Sequence, residues 1–154
     1  MPRLFRFEQQ QLIPTSLERA WEFFCNPANL KTITPPDMGF EILTPVPPVA
    51  EPGLIIVYKV RPLLGIPVQW ITEITHVVPQ QSFVDEQRFG PYRFWHHRHI
   101  FEPKDRGVLM SDIIHYALPI PVVATLVNNF VVRPRLNEIF SYRRQKIEEI
   151  FGRA

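Results

Sequence analysis

GPYRFWHHRHIFEPKDRGVLMSDIIHYALP, residues Gly90 to Pro119, reads as two long antiparallel strands around a polar connection. The arms are Arg93–Phe101 and Val108–Ala117, and the connection Glu102-Pro103-Lys104-Asp105-Arg106-Gly107 ends on glycine. An amphipathic segment follows, long enough for a helix of about seven turns. A strongly curved sheet gripping one long helix encloses a space too wide for side chains to fill. The pattern therefore predicts a ligand cavity.

Outward from the hairpin, Leu4–Ile13, Phe40–Thr44, Leu54–Val60, Val68–Val77 and Ser82–Phe89 are strand candidates bounded by Pro or Gly. Thr15-Ser16-Leu17-Glu18 has the spacing of a capping box, with Thr15 as cap, and Leu17, Ala20, Trp21 and Phe24 continue at helical spacing. Asn26-Pro27 marks a second short helix, with Asn26 as cap. In the last segment Leu136, Ile139, Phe140, Arg143, Ile147, Ile150 and Phe151 recur at helical spacing. Pro134 lacks a donor and clashes with the Phe130 carbonyl, so a kink or break is expected between Val122–Val132 and Pro134–Phe151. The fold class is α+β: a curved seven-stranded antiparallel sheet, two short helices after the first strand, and a long C-terminal helix across it.

At 154 residues the chain reads as a single domain spanning residues 1–154. A net charge of +2, with 13 arginines and 4 lysines scattered among acids, gives no basic patch for nucleic acid. The single cysteine, Cys25, excludes an intramolecular disulfide framework and a thiolate zinc site, and reads as a buried inert thiol. Neither a signal peptide nor an apolar run near ~20 residues is present, so a cytoplasmic location is expected. Seventeen prolines against six glycines punctuate the strands without forming a linker or a repeat.

Several blocks carry a family resemblance. They are Pro14-Thr15-Ser16-Leu17-Glu18-Arg19-Ala20-Trp21-Glu22-Phe23-Phe24, then Asn29-Leu30 and Ile33-Thr34-Pro35, then Trp70-Ile71-Thr72-Glu73-Ile74 and Gly90-Pro91-Tyr92. The alternating Trp95, His97, His99, Phe101 and the arm Asp112 to Tyr116 complete them. Together with the element order, they make the chain resemble the SRPBCC superfamily of helix-grip proteins over essentially its whole length. That superfamily includes START lipid-transfer domains, birch-pollen-type plant proteins, polyketide cyclase/dehydrase-like proteins and coenzyme Q-binding proteins. The histidine-rich arm is similar to a bacterial cyclase-like subgroup. The resemblance implies an apolar cavity that binds, or sometimes transforms, a hydrophobic compound. Pro119-Ile120-Pro121 departs from it, standing where relatives often carry glycines.

Strand alternation puts Trp95, His97, His99 and Phe101 on one face and Phe94, His96, Arg98 and Ile100 on the other. Pairing Phe101 with Val108 across the connection sets His99 opposite Met110, His97 opposite Asp112 and Trp95 opposite Ile114. The expected cavity wall is then Trp70, Phe83, Trp95, Phe101, Ile114, Tyr116, Phe130 and Phe140, with His97, His99 and Asp112 as polar points. These three are also the candidates for proton transfer, against the plainer reading of a satisfied structural pair. Adjacent strand residues diverge, so His96 and His97 do not meet at one ion; only His97, His99 and Asp112 converge, and no metal is expected. No cofactor is called for, because no glycine-rich phosphate loop, nucleophile elbow or carboxylate pair is legible. Leu63, Leu64 and Ile66 in one connector, and Ile120 in another, read as exposed apolar tips for transient membrane or protein contact. Oligomeric state is open.

The leading expectation is a binder or carrier of a hydrophobic small molecule, such as a lipid, a quinone or a polyketide-like compound. Its alternatives are a cyclase- or dehydratase-type enzyme using a cavity histidine, and a protein-interaction module.

Overall fold

The computed structural model describes residues 2–154. Strand β1 (Phe5–Ile13) leads into helix α1 (Leu17–Phe24), and short 3-10 turns follow at Pro27–Lys31 and Pro36–Met38. Then come β2 (Glu41–Ile42), β3 (Ile55–Val60), β4 (Val68–Val78), β5 (Ser82–Phe89), β6 (Phe94–Lys104) and β7 (Gly107–Ala117). The chain ends in α2 (Ala124–Val127), a π-helical turn (Asn128–Val132) and α3 (Arg133–Phe151). The strands form one seven-stranded antiparallel sheet in the order β1-β7-β6-β5-β4-β3-β2, so the chain's first and last strands lie side by side. Two register shifts between β4 and β5, at Ile71/Thr72 and Ile74/His76, interrupt the ladder. Such bulges bend a strand and increase its twist, and they sit in the middle of this curved sheet. No helix of the described residues is long and apolar enough to cross a membrane.

The central hairpin differs from expectation in register. The connection is two residues, Asp105-Arg106, with Lys104 paired to Gly107. Each pair therefore slides by two: Phe101 meets Met110, His99 meets Asp112, His97 meets Ile114 and Trp95 meets Tyr116. The slip is even, so every side chain keeps its face. Pro103 continues the strand because its nitrogen points, like that of Phe101, to the β5 side. The Phe101 N–H reaches the Gln81 carbonyl just before β5 begins, and nothing lies beyond for Pro103 to bond. Gly107 is required: at φ 141° an added Cβ would lie 2.0 Å from the Ile13 carbonyl oxygen.

Three further expectations are corrected. Ser16, not Thr15, caps α1 and accepts from the Arg19 N–H, while the Thr15 hydroxyl is buried without a partner. The predicted strand Phe40–Thr44 shrinks to two residues. At Pro134 the helical backbone does not break. The wide turn Asn128–Val132, closed by the Arg133 N–H on the Asn128 carbonyl, makes room for the proline ring in the first turn of α3. Asn26 does cap its 3-10 turn, accepting from the Ala28 N–H.

Two buried apolar clusters cover the inner face of the sheet. One packs α1 and the end of α3 through Ala20, Trp21, Phe83, Phe101, Met110 and Ile147. The other packs α2 and the start of α3 through Phe7, Trp70, Tyr92, Tyr116, Leu136 and Phe140. Aromatic contacts dominate both, including Trp21 edge-on to Phe101 at 5.4 Å and Trp70 edge-on to Trp95 at 5.3 Å.

Candidate functional site: a hollow with a buried polar floor

Between the sheet and α3 lies a cavity of about 180 Å³. Alternate residues of the middle strands supply one wall: Tyr58 from β3, Trp70, Thr72 and Ile74 from β4, Phe83 and Asp85 from β5, and Trp95, His97 and His99 from β6. Helix α3 supplies the other with Leu136, Ile139, Phe140 and Arg143.

Of the residues expected at the wall, Trp70, Phe83, Trp95, His97, His99, Ile114 and Phe140 line this space. Four do not. Phe101 is buried one row further along β6, against Trp21 and Phe24. Tyr116 is core, its hydroxyl donating to Asn128 Oδ1 at 2.5 Å. Asp112 sits beside the histidines without reaching the cavity. Phe130 is 78% exposed, because the π-helical turn points Asn128 and Val132 inward instead. Of the apolar tips, Leu64 at 79% exposed, Ile66 and Ile120 stand out in solvent, whereas Leu63 folds back onto the core.

The polar floor is a crossed square on three strands. Asp85 faces His97 in register and His99 faces Asp112, yet the short contacts run along the diagonals. His97 Nε2 lies 2.7 Å from Asp112 Oδ1, and His99 Nε2 lies 2.6 Å from Asp85 Oδ2. The imidazoles lie 3.8 Å apart by ring centroid, and His99 stacks on Phe83 at 4.0 Å. Arg143 approaches from α3, its Nη1 3.8 Å from Asp112 Oδ1 and its guanidinium 4.6 Å from the Phe140 ring.

Burial works against charge on every member of this group. For Asp85 and Asp112 the neighbouring imidazoles outweigh burial and hold both carboxyls below the usual range. For His97 burial, aided by the charge of His99, prevails and lowers the imidazole. For His99 burial is overcome by the two carboxylates beside it, Asp112 at 3.1 Å and the hydrogen-bonded Asp85, and the imidazole is raised. The two shifts are opposed, so His99 holds a proton more tightly than His97 does. The two carboxylates share this buried ground with two imidazoles and one guanidinium. Since an ionised carboxylate only accepts, a neutral His97 carries its proton on Nε2 and leaves the Nδ1 lone pair free. Trp70 Nε1 and Arg143 Nε, on residues more than nine-tenths buried in the wall, have no partner.

Asp85, Arg143 and Tyr58 were not among the expected site residues. The signal for Asp85 was its position two residues after inward Phe83. That for Arg143 was its helical spacing from Phe140 and Ile147. Tyr58, whose hydroxyl pairs with Thr72 at 3.1 Å, gave no such signal, because its strand is short and flanked by apolar residues on both faces.

Neither a family model nor a curated protein sequence matches the chain. Solved structures do. Major latex-like protein 151 of Panax ginseng matches with a TM-score of 0.71 at 14% identity, over 96% of this chain and 97% of that one. A Mycobacterium smegmatis protein matches at 0.68 and 17% identity, over 94% and 89%. A norcoclaurine synthase point mutant of Thalictrum flavum, in complex with a transition-state analogue, matches at 0.65 and 12% identity, over 97% and 98%. At such identities the likeness carries the architecture alone: the chain has the helix-grip fold.

Proposed function

We propose that the protein is an SRPBCC-type binder or carrier of a small hydrophobic molecule, held between the curved sheet and α3. The observation that carries this reading is the cavity, about 180 Å³ walled mainly by aromatic and aliphatic side chains with one polar end. Its size selects among ligands. It is close to the ~150 Å³ of apolar cavities that take benzene and below the ~300 Å³ at which drug-sized sites begin. A guest of one or two rings, such as a quinone headgroup or a small polyketide-like aromatic, fits as the protein stands. A long-chain lipid requires the helix and the rim to move apart. Arg143 Nε and Trp70 Nε1 are unpaired donors in the wall, and a carbonyl, phenol or carboxylate oxygen on the guest would satisfy them. Leu64, Ile66 and Ile120 would serve transient contact with a membrane or a partner during loading.

The second reading, a cyclase- or dehydratase-type enzyme, is favoured by one observation: two imidazoles 3.8 Å apart in the wall, their proton affinities shifted in opposite directions.

The test is native mass spectrometry of protein purified from its own host, with organic extraction, followed by melting against one-ring, two-ring and long-chain compounds. A discrete adduct, or melting raised by ring compounds and not by long chains, supports the binder. Empty protein that no compound stabilises sinks it and leaves the interaction-module alternative. Chemical change of a retained guest would favour the enzyme.

A further inference from the structure

The floor of the cavity holds a second pattern, visible when the two nitrogens of each imidazole are followed separately. Asp85 Oδ2 lies 2.6 Å from His99 Nε2 and 3.6 Å from His97 Nδ1. One oxygen and two nitrogens from these three residues lie within 4.8 Å of one another. The other nitrogen of each ring lies toward Asp112 Oδ1: His97 Nε2 bonds it at 2.7 Å, and His99 Nδ1 lies 3.1 Å away without hydrogen-bond alignment. The near nitrogens therefore converge with one carboxylate and the far nitrogens with another. His97 is held as ligating histidines are, its far N–H given to a carboxylate so that the near lone pair is free.

We infer that Asp85, His97 and His99 form a binding site for a divalent transition-metal cation, with Asp112 orienting His97 and the Phe83 ring orienting His99. Two imidazoles and one carboxylate suit Zn²⁺, Fe²⁺ or Co²⁺ and not the all-oxygen sites of Ca²⁺ or Mg²⁺. Bonds of ~2.0–2.2 Å place donor atoms roughly 3–3.5 Å apart. The 3.6 Å separation is close to that, and the 2.6 Å hydrogen bond lengthens once the cation replaces the proton between Asp85 and His99. All three ligands line the cavity, so the positions they leave vacant face the guest. A dication with two neutral imidazoles, two carboxylates and Arg143 sums to one positive charge. A guest bearing an anionic oxygen, such as a phenolate, enolate or carboxylate, neutralises it. This last step rests on the proposed binding of a small ring compound; the metal site does not.

The site lies apart from the other close histidine pair. His96 and His115 are direct neighbours across β6 and β7 on the outer face of the sheet, and they are its internal control.

The experiment uses the full chain, stripped with chelator, and the metal alone. Co²⁺ is added while visible absorption is followed, Zn²⁺ binding is measured by calorimetry, and imidazole NMR resonances are recorded with and without Zn²⁺. One equivalent binds, the His97 and His99 resonances shift, and those of His96 and His115 do not. Asp85→Asn and His99→Gln each weaken binding about 100-fold or more, and Asp112→Asn about 10–100-fold. His96→Gln/His115→Gln leaves it unchanged. Absence of saturable binding overturns the inference, as does a folded Asp85→Asn variant that binds like the parent, or binding lost with the outer pair. Where Asp85→Asn fails to fold, the imidazole resonances of the parent protein decide. No organic ligand enters these measurements, so their failure leaves the small-molecule reading standing, and failure of ligand capture leaves the metal site standing.

Discussion

His97 and His99 on one face of β6, and His96 with His115 on the other face of β6 and β7, are the same chemistry a few ångströms apart with opposite surroundings. The inner pair is buried, touches two carboxylates, one of them near Arg143, and has its two rings shifted in opposite directions. The outer pair is only half-buried, and among the described residues neither ring forms an ion pair, although Glu86 stands opposite His96 across β5 and β6. There, burial and then the positive charges of Arg6, His96 and Arg98 lower His115. Period-two alternation alone makes the difference. A histidine in this strand becomes a functional candidate through the side of the sheet it faces, not through the cluster HHRH as written.

The largest effect that can break this contrast is removal of Asp112, the carboxylate bonded to His97 and 3.1 Å from His99. Asp112→Ala leaves His97, His99 and Arg143 buried with one carboxylate among them. Loss of one partner from a buried charged set costs about 3–5 kcal/mol. Urea unfolding monitored by tryptophan fluorescence shows this as a lowered midpoint at unchanged slope. A loss below about 1 kcal/mol would mean that the inner cluster is solvated, and the contrast with the outer pair would collapse.

Cys25 separates burial from partnership, because its thiol is buried with no charged neighbour to offset desolvation. Burial pushes it up to about 12 from 9.0. At pH 9 the native thiol is then about one part in a thousand thiolate, against one half in the unfolded chain, and alkylation of native protein is slower by roughly two to three orders of magnitude. The sign for stability follows. The unfolded thiol loses its proton first, so the contribution of Cys25 is fully present below pH 9 and is lost as pH rises toward 12. Iodoacetamide labelling with and without urea tests the first statement, and the alkaline limb of a Cys25→Ala stability curve tests the second.

The rim offers a smaller test. Arg135 ties α3 to the turn at Asp37 at 2.6 Å, to Glu138 at 2.9 Å and to the Pro62 carbonyl at 3.3 Å. These bonds are mostly solvated, so Arg135→Ala lowers stability by about 1 kcal/mol or less. Its larger consequence is kinetic, since Pro62 and Arg135 border the cavity: exchange of a bound ring compound, followed by stopped-flow fluorescence, becomes faster. Unchanged exchange would place the entrance elsewhere.

Much of this was legible because it depends on parity and punctuation. The inner face of β6, the strand count and the capping of the Pro27 turn by Asn26 follow from alternation, prolines and one side chain. The hairpin register was not, because Pro103 reads as a strand end until it is known that β5 stops short of it and leaves its nitrogen facing no partner. The same long-range fact hid the fourth corner of the site. Asp85 lies at the right parity beside Phe83, but its approach to His99 depends on the β5–β6 register, which no local pattern encodes. Phe130 was misplaced for a local reason: Pro134 inserted a wide turn that changed the helical phase upstream of it.

The smallest expected effect is the most informative about the contrast. His96 and His115 stand opposite one another in register, as His97 and Ile114 do, and their replacement removes as much imidazole as the inner double variant would. On the outer face those rings have water as an alternative partner, so His96→Gln/His115→Gln changes stability by no more than about 0.5 kcal/mol. Relieving the repulsion that Arg6, His96 and Arg98 exert on His115 raises stability at low pH, where the His115 ring charges. The signature is therefore an unfolding midpoint unchanged at pH 8 and equal or higher at pH 5. A marked loss at pH 8 would mean that the outer face is covered in solution, by a second copy or another partner. The distinction between the two faces would then be one of occupants and not of exposure.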